Sequence, residues 1–127
     1  MNSTFIVFLG GGIGAAIRHL VNQAVGRVAG TDFPFGIMAI NISGSLVMGL
    51  AAGYFAFKAS ESWSDTARLF MTTGVLGGYT TFSAFSLDAM LLWERGEPGL
   101  AVAYVLGSVV LSIIGLAAGL GIVRALT

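Results

Sequence analysis

Three stretches without a charged residue constrain this chain more than any motif in it. Phe33 to Phe57 runs 25 residues, Leu69 to Leu87 runs 19 and Pro98 to Val123 runs 26. A helix rises 1.5 Å per residue, so roughly 20 apolar residues cross a hydrocarbon core about 30 Å thick. Each stretch is long enough. The first segment is less uniform: Phe5–Ile17 is apolar, Arg18 and His19 interrupt, and Leu20-Val21 resumes. Phe5–Ile17 alone falls short of a span, so Arg18 must face water, a vestibule or a protein interior. The pattern predicts four membrane helices at roughly 4–27, 33–57, 66–92 and 98–124.

The connections Arg27–Asp32, Ala59–Asp65 and Trp93–Glu97 leave no room for an extramembrane domain, so 1–127 reads as a single membrane domain. Composition agrees. Charged residues are 9% of the chain, against roughly 25% in soluble domains. A soluble domain of this size could not cover its surface with so few polar groups. Hydrophobic residues at 56% exclude disorder, zero Cys excludes a disulfide scaffold, and zero net charge argues against nucleic acid. No Lys or Arg precedes Phe5, which argues against a signal peptide, and the apolar runs do not alternate as barrel strands do.

Small residues fill the helices. Gly10–Gly14, Gly49–Gly53, Gly74–Gly78 and Gly115–Gly119 all fit G-x-x-x-G. In lipid, apolar burial gains little, so close backbone approach through such residues holds helices together. Gly10-x-Gly12-x-x-Ala15 also fits a relaxed dinucleotide fingerprint, with Asp32 downstream. That fingerprint needs alternating strands and amphipathic helices, and only further lipid-soluble spans follow.

Polarity at membrane depth carries the functional information. Asn41 stands four positions from Ser45, the midpoint of the second span. It could serve an interhelical hydrogen bond, or its two amide N–H donors could serve a passing anion. Tyr104, Ser108 and Ser112 recur every four residues along one face of the fourth span. A lone serine can bond back to its own helix, but three hydroxyls in file make a polar stripe suited to a lined pathway. The third span contains Gly77-Gly78-Tyr79-Thr80-Thr81-Phe82-Ser83-Ala84-Phe85-Ser86. Paired glycines and β-branched threonines make poor helix. Residue 78 is the midpoint of Leu69–Leu87, so the predicted break falls near the bilayer centre. Broken helices there offer carbonyls to cations and N–H groups to anions. Phe82 and Phe85 follow on similar faces, as packing residues or as electropositive ring edges toward an anion.

No Asp or Glu lies deep in any span; Asp88 and Glu94 sit near the end of the third. A proton-coupled exporter would want a buried carboxylate. The single histidine, His19, has no metal-ligand partner at usable spacing, and no Ser/His/acid set is evident, so an enzyme is not expected.

The motifs together resemble the Fluc (CrcB) family of fluoride channels over essentially the whole chain. Gly11-Gly12-Ile13-Gly14-Ala15-Ala16-Ile17-Arg18, Asn41-Ile42-Ser43-Gly44 and, most specifically, the Gly77–Ser86 run carry the likeness. Ala84 replaces the commoner Thr, and Ser43-Gly44-Ser45 departs from a usually apolar or Gly-rich pattern. The resemblance implies an antiparallel, dual-topology homodimer in the bacterial inner membrane, with two fluoride pathways shared by the subunits. Asn41 would coordinate fluoride; Phe82 and Phe85 would present ring edges; Tyr104, Ser108, Ser112, Ser83 and Thr81 would line the path. Gly77 and Thr80 would give main-chain carbonyls to a structural Na⁺ that is not transported, and Arg18 would sit at an aqueous vestibule. The implied activity is passive export of cytoplasmic fluoride; a small dual-topology exporter of small molecules is the alternative.

Independent physical points bear on this expectation. Fluoride is small and strongly hydrated, so a pore must substitute close donors for water. With both termini on one side, Lys58, Arg68 and Arg124 face Arg27, Arg95 and, depending on depth, Arg18 on the other. That balance gives the positive-inside rule nothing to orient.

Overall fold

A computed structural model of the chain describes residues 2–57 and 64–126. Lys58 and most of the Ala59–Asp65 connection lie outside the described residues. The elements are α1 (Ser3–Ala29), α2 (Phe35–Phe57), α3 (Ser64–Arg68), a π-helical stretch (Leu69–Leu76), α4 (Gly77–Tyr79), α5 (Phe82–Glu94) and α6 (Pro98–Ala125). Among the described residues, four helical runs are long and apolar enough to cross a membrane: Ser3–Ala29, Phe35–Phe57, Asp65–Glu94 and Pro98–Ala125. The chain is an all-helical, multi-pass membrane protein.

Local chemistry explains the helix ends. The Asn2 side chain accepts from the Thr4 N–H at 2.7 Å and caps α1. Gly30, at φ 81°, closes α1 by donating its N–H to the Gly26 carbonyl, a left-handed turn that favours glycine. Pro98 opens α6, where its missing N–H costs nothing. The loops after α1 and α5 are tied together, because Arg95 donates to the Asp32 carbonyl and its Nε to Glu97 Oε2 at 2.8 Å. At the opposite end, the Arg124 guanidinium lies 5.4 Å above the Phe57 ring.

The four G-x-x-x-G pairs sort into two crossings. Gly10 and Gly14 of α1 meet the third span: a Cβ on Gly10 would lie 2.7 Å from the Phe70 carbonyl and 2.9 Å from Gly74 Cα, and one on Gly14 would strike the Val75 carbonyl. Gly78 in turn receives the Gly11 backbone. Gly49 and Gly53 of α2 meet α6 at Leu116 and Val123, while Gly119 receives Leu46 and Leu50. Each crossing brings backbone against backbone, so the glycines set how closely the helices approach.

The third span is not one helix. It winds as a π-helix through Leu69–Leu76, returns to α at Gly77–Tyr79, and breaks at Thr80 (φ −82°, ψ 156°) and Thr81 (φ −153°, ψ 119°). The break thus falls on the threonines, while Gly77 and Gly78 stay helical. Close packing accounts for the difference: Gly78 lies against α1, where any side chain would collide. β-branched threonines lose little in an extended backbone.

A small core of Ile37, Ile40, Phe85, Leu92, Ala101 and Tyr104 lies between α2, α5 and α6. Large apolar side chains elsewhere, among them Phe8, Leu106 and Ile113, point outward as a lipid solvent permits.

The packing generates a comparison of two glycines. Gly14→Ala is expected to lower stability by about 1–3 kcal/mol through overpacking, read as thermal unfolding of the purified protein in detergent. Gly99→Ala, where a Cβ meets nothing within 4 Å, is expected to leave the transition in place. Equal effects would remove backbone approach as the adhesive.

Candidate functional site

An extended segment at membrane depth exposes backbone polar groups that lipid cannot satisfy. Asn41 resolves this for Thr81. Its Nδ2 donates to the Thr81 carbonyl at 3.1 Å, and its Oδ1 accepts the Thr81 N–H at 2.9 Å. The side-chain amide thereby pairs with the backbone as a neighbouring strand would. One Nδ2 proton remains, because an amide carries two donors.

Thr81 then caps α5. Its hydroxyl accepts the Ala84 N–H at 3.2 Å and lies 3.4 Å from the Ser83 hydroxyl. The N-terminus of α5, with its partial positive charge, faces the break.

These bonds also decide what becomes of the carbonyls upstream. In an unbroken helix the Thr81 N–H would serve Gly77 and the Ala84 N–H would serve Thr80. Here the first goes to Asn41 and the second to the Thr81 hydroxyl. Thr80 donates both its N–H and its hydroxyl to the Leu76 carbonyl, each at 3.0 Å. Gly77 and Thr80, the pair expected to hold Na⁺, are thus among the residues at the break whose carbonyls lose their usual helical donors. Oxygen donors of this kind suit a hard cation.

Two cavities flank the start of α5. One, of about 380 Å³, is lined by Asn41, Gly44, Ser45, Thr80, Thr81, Phe82, Phe85, Ser108 and Ser112, with apolar residues of α2 and α6. The other, of about 480 Å³, lies on the α1 side and is lined by Arg18, His19, Asn22, Thr81, Ser83 and apolar neighbours. Thr81 belongs to both. The expected pathway residues therefore divide, with Arg18 and Ser83 on one side of Thr81 and Asn41, Phe82, Phe85, Ser108 and Ser112 on the other.

Hydroxyls in membrane helices ordinarily satisfy themselves by bonding back to their own helix. Thr72 donates to the Arg68 carbonyl, Ser86 to Phe82 and Ser43 to Ile40. Ser108 and Ser112 do not. Their oxygens are buried without a hydrogen-bond partner among the described residues, and both residues line the smaller of the two cavities. Such a group costs about 1–3 kcal/mol unless something binds it.

The aromatic rings form a file. Phe82 and Phe85 lie 5.5 Å apart between centroids, Phe85 and Tyr104 5.2 Å, and Tyr104 and Phe33 5.6 Å. Phe85 is buried, whereas Phe82 is 77% exposed, on the open side of the cavity. Tyr104 is fully buried behind Phe85, lines neither cavity, and points its hydroxyl at Asp88 Oδ2 at 3.4 Å. Asp88 and Phe33 were absent from the sequence-based set. Asp88 stands six residues before the end of α5, so it is deeper than its place beside a charge-free run suggested. The i, i+4 spacing that picks out Tyr104, Ser108 and Ser112 gives no hint of a partner on another helix.

Comparison with known proteins adds the following. Residues 5–120 match the family model described as CrcB-like protein, Camphor Resistance (CrcB). The chain is 64% identical over 122 residues to the fluoride-specific ion channel FluC of Rhodopseudomonas palustris (strain BisB5), covering 96% of this chain and 97% of that protein. It is 62% identical over 124 residues to fluoride-specific ion channel FluC 2 of Nitrobacter hamburgensis, with 96% and 97% covered. It is 52% identical over 126 residues to the FluC channel of Methylobacterium nodulans, with 98% of each covered.

Asn41→Ala is expected to strip both partners from Thr81, costing roughly 1–3 kcal/mol and speeding amide exchange at Thr81 on the order of tenfold or more. Hydrogen exchange resolved at the α5 N-terminus measures this. Unchanged protection there would mean that Asn41 does not hold the break.

Proposed function

The chain belongs to the CrcB-like (Camphor Resistance) family, whose named members are ion channels rather than enzymes, and from that premise we propose that it is a fluoride channel. In this reading it passively exports cytoplasmic fluoride across the bacterial inner membrane through two pores of an antiparallel homodimer. One observation carries the reading most directly: the buried, unpartnered hydroxyls of Ser108 and Ser112 face a charge-free cavity beside the helix break.

Fluoride must shed water to enter, so its replacements must be donors at short range. Ser108 and Ser112 hold protons that no acceptor among the described residues takes. The remaining Asn41 N–H and the α5 N-terminus add donors without formal charge. Ring edges of Phe82 and Phe85 add weak positive potential. Since no Lys or Arg lines this cavity, the ion meets several modest sites rather than one deep trap, which suits release. Arg18, in the neighbouring cavity, raises anion concentration at the mouth. Ser83 and Thr81 lead from there toward Asn41. The Tyr104 hydroxyl, oriented by Asp88, belongs to the far end of the track.

The exposure of Phe82 is what a pathway completed by a second copy requires. Gly77 and Thr80 would hold a structural Na⁺ through their carbonyls, and the ion would fix the two chains' broken helices against each other. These residues keep the carbonyls free, since Asn41 and the Thr81 hydroxyl take the competing N–H groups.

Liposomes containing only the purified protein should release fluoride to an electrode while retaining chloride. Phe82→Ile and Phe85→Ile should each cut fluoride efflux by at least roughly tenfold, about 1.4 kcal/mol at the limiting barrier, with assembly intact by size exclusion. Equal chloride release, or wild-type flux in both variants, would overturn the reading.

Topology has its own measurement. Single cysteines placed at either terminus should be labelled from both sides of the membrane, in roughly equal shares, because Lys58, Arg68 and Arg124 stand against Arg27, Arg95 and, depending on depth, Arg18, which is almost no bias. Labelling from one side alone would exclude the antiparallel pair.

A further inference from the structure

Asn41 is not the sole contact between α2 and the helix break. Two residues further along α2, the Ser43 hydroxyl lies 3.0 Å from the Tyr79 hydroxyl. Ser43 also donates to the Ile40 carbonyl at 3.2 Å. A serine has one proton, so Tyr79 is the donor: the chain of bonds runs from Tyr79 to Ser43 to Ile40.

Tyr79 is the last helical residue before the extended pair Thr80-Thr81. The break is therefore held on both sides of Thr80, upstream through Tyr79 and downstream through Thr81. Between the anchors, Gly44 opens a notch in α2. A Cβ there would collide with the Thr80 methyl and come within 3.1 Å of the Tyr79 ring. On the opposite side, a Cβ on Gly14 of α1 would lie 2.8 Å from the Tyr79 nitrogen. Tyr79 and Thr80 are thus seated between two glycine-lined helix faces.

Every polar group of Thr80 but its carbonyl is committed inside the chain, since its N–H and hydroxyl both go to Leu76. The direction of that carbonyl depends on ψ at Thr80 and φ at Thr81. Asn41 fixes the downstream end, and the bonds of Thr80 to Leu76 hold the upstream end to its own helical turn. The Tyr79–Ser43 bond ties that turn to α2, so both ends of the Thr80 carbonyl are referred to the same helix.

We infer that Ser43 and Tyr79 are positioning residues for the proposed sodium site, holding the Thr80 carbonyl in its cation-facing orientation through the Tyr79–Ser43 hydrogen bond. This rests on the reading of Gly77 and Thr80 as a sodium site. Neither side chain would touch the ion, and neither lines the cavity with Ser108 and Ser112. Their effect falls on cation affinity first.

The test is thermal unfolding of the purified full chain titrated with sodium, with potassium as the control cation. Binding to the folded state stabilises it by RT ln(1 + [Na⁺]/Kd), so fitting the rise in melting temperature gives the sodium half-point, the concentration equal to Kd. Tyr79→Phe, which keeps the ring, and Ser43→Ala should each raise the sodium half-point about threefold to tenfold, the range expected for one hydrogen bond. The double variant should be no weaker than the singles, because each already breaks the same bond. Ser43→Thr, which retains the hydroxyl, should keep the wild-type half-point. The deficit of the single variants should grow as sodium rises and then level off, whereas a general packing defect would lower the melting temperature equally at every sodium concentration. Should Tyr79→Phe fail to fold, Ser43→Ala at its exposed position decides the matter. A sodium-responsive wild type with unchanged half-points in the variants would overturn this inference alone. A wild type indifferent to sodium would overturn the cation site itself, and this inference with it.

Discussion

A backbone that leaves the helix inside a membrane must find partners for its N–H and C=O groups within the protein. One side chain meets that demand here. Asn41 presents a donor and an acceptor with the spacing of a peptide group, and Thr81 accepts the substitution at 2.9 and 3.1 Å. Once the Thr81 N–H is diverted, Gly77 loses its helical donor. Once the Thr81 hydroxyl caps α5, Thr80 loses its own. The free carbonyls, the exposed α5 N-terminus and the two cavities that share Thr81 all follow from that diversion.

The pairing works only because the helices are close. Asparagine has a short reach, and α2 must bring it to the third span while α1 supports that span from behind. Gly44 admits Thr80 and Tyr79 on one side; Gly10 and Gly14 admit Phe70, Gly74 and Val75 on the other. Glycine costs roughly 1 kcal/mol per interior position in water-soluble helices. In lipid that penalty is offset by van der Waals contact and by the hydrogen bonds that close approach allows. The repeated G-x-x-x-G spacing thus belongs to the site as much as to the bundle.

What the sequence discloses follows the range of the interaction. Spans are written in charge-free runs, and the existence of a break is written in Gly77-Gly78-Tyr79-Thr80-Thr81. Its position is not, because local propensity points to the glycines while packing against Gly11 keeps Gly78 helical. Asn41 stands out as a polar residue at depth, yet its bidentate hold on Thr81, 40 residues away, has no local signature. Ser108 and Ser112 are legible as a stripe; that they forgo bonding to their own helix is a rotamer choice set by the cavity. Tyr104 belongs to the same stripe but is turned into the core by Phe33, Phe85 and Asp88, none of them its sequence neighbours. Periodicity reports which face a residue shares, and the partner helix decides what that face meets.

The absence of a charged residue among those that line the cavity of Ser108 and Ser112 is the feature that ties the chemistry together. A buried guanidinium or ammonium would bind a small anion strongly, since Coulomb energy grows as the local dielectric falls. It would also hold the anion. Neutral donors divide the attraction among hydroxyls, one amide proton, ring edges and a helix terminus, each worth little alone. An ion can then be handed between sites of similar depth, which is the condition for passage rather than storage. The cost is two serine hydroxyls left unsatisfied within the fold. A folding requirement alone would have turned them back to their own carbonyls, as it did for Thr72 and Ser86. The contact of α2 with α6 at Gly49 and Gly119 runs backbone against backbone and makes no use of the serines.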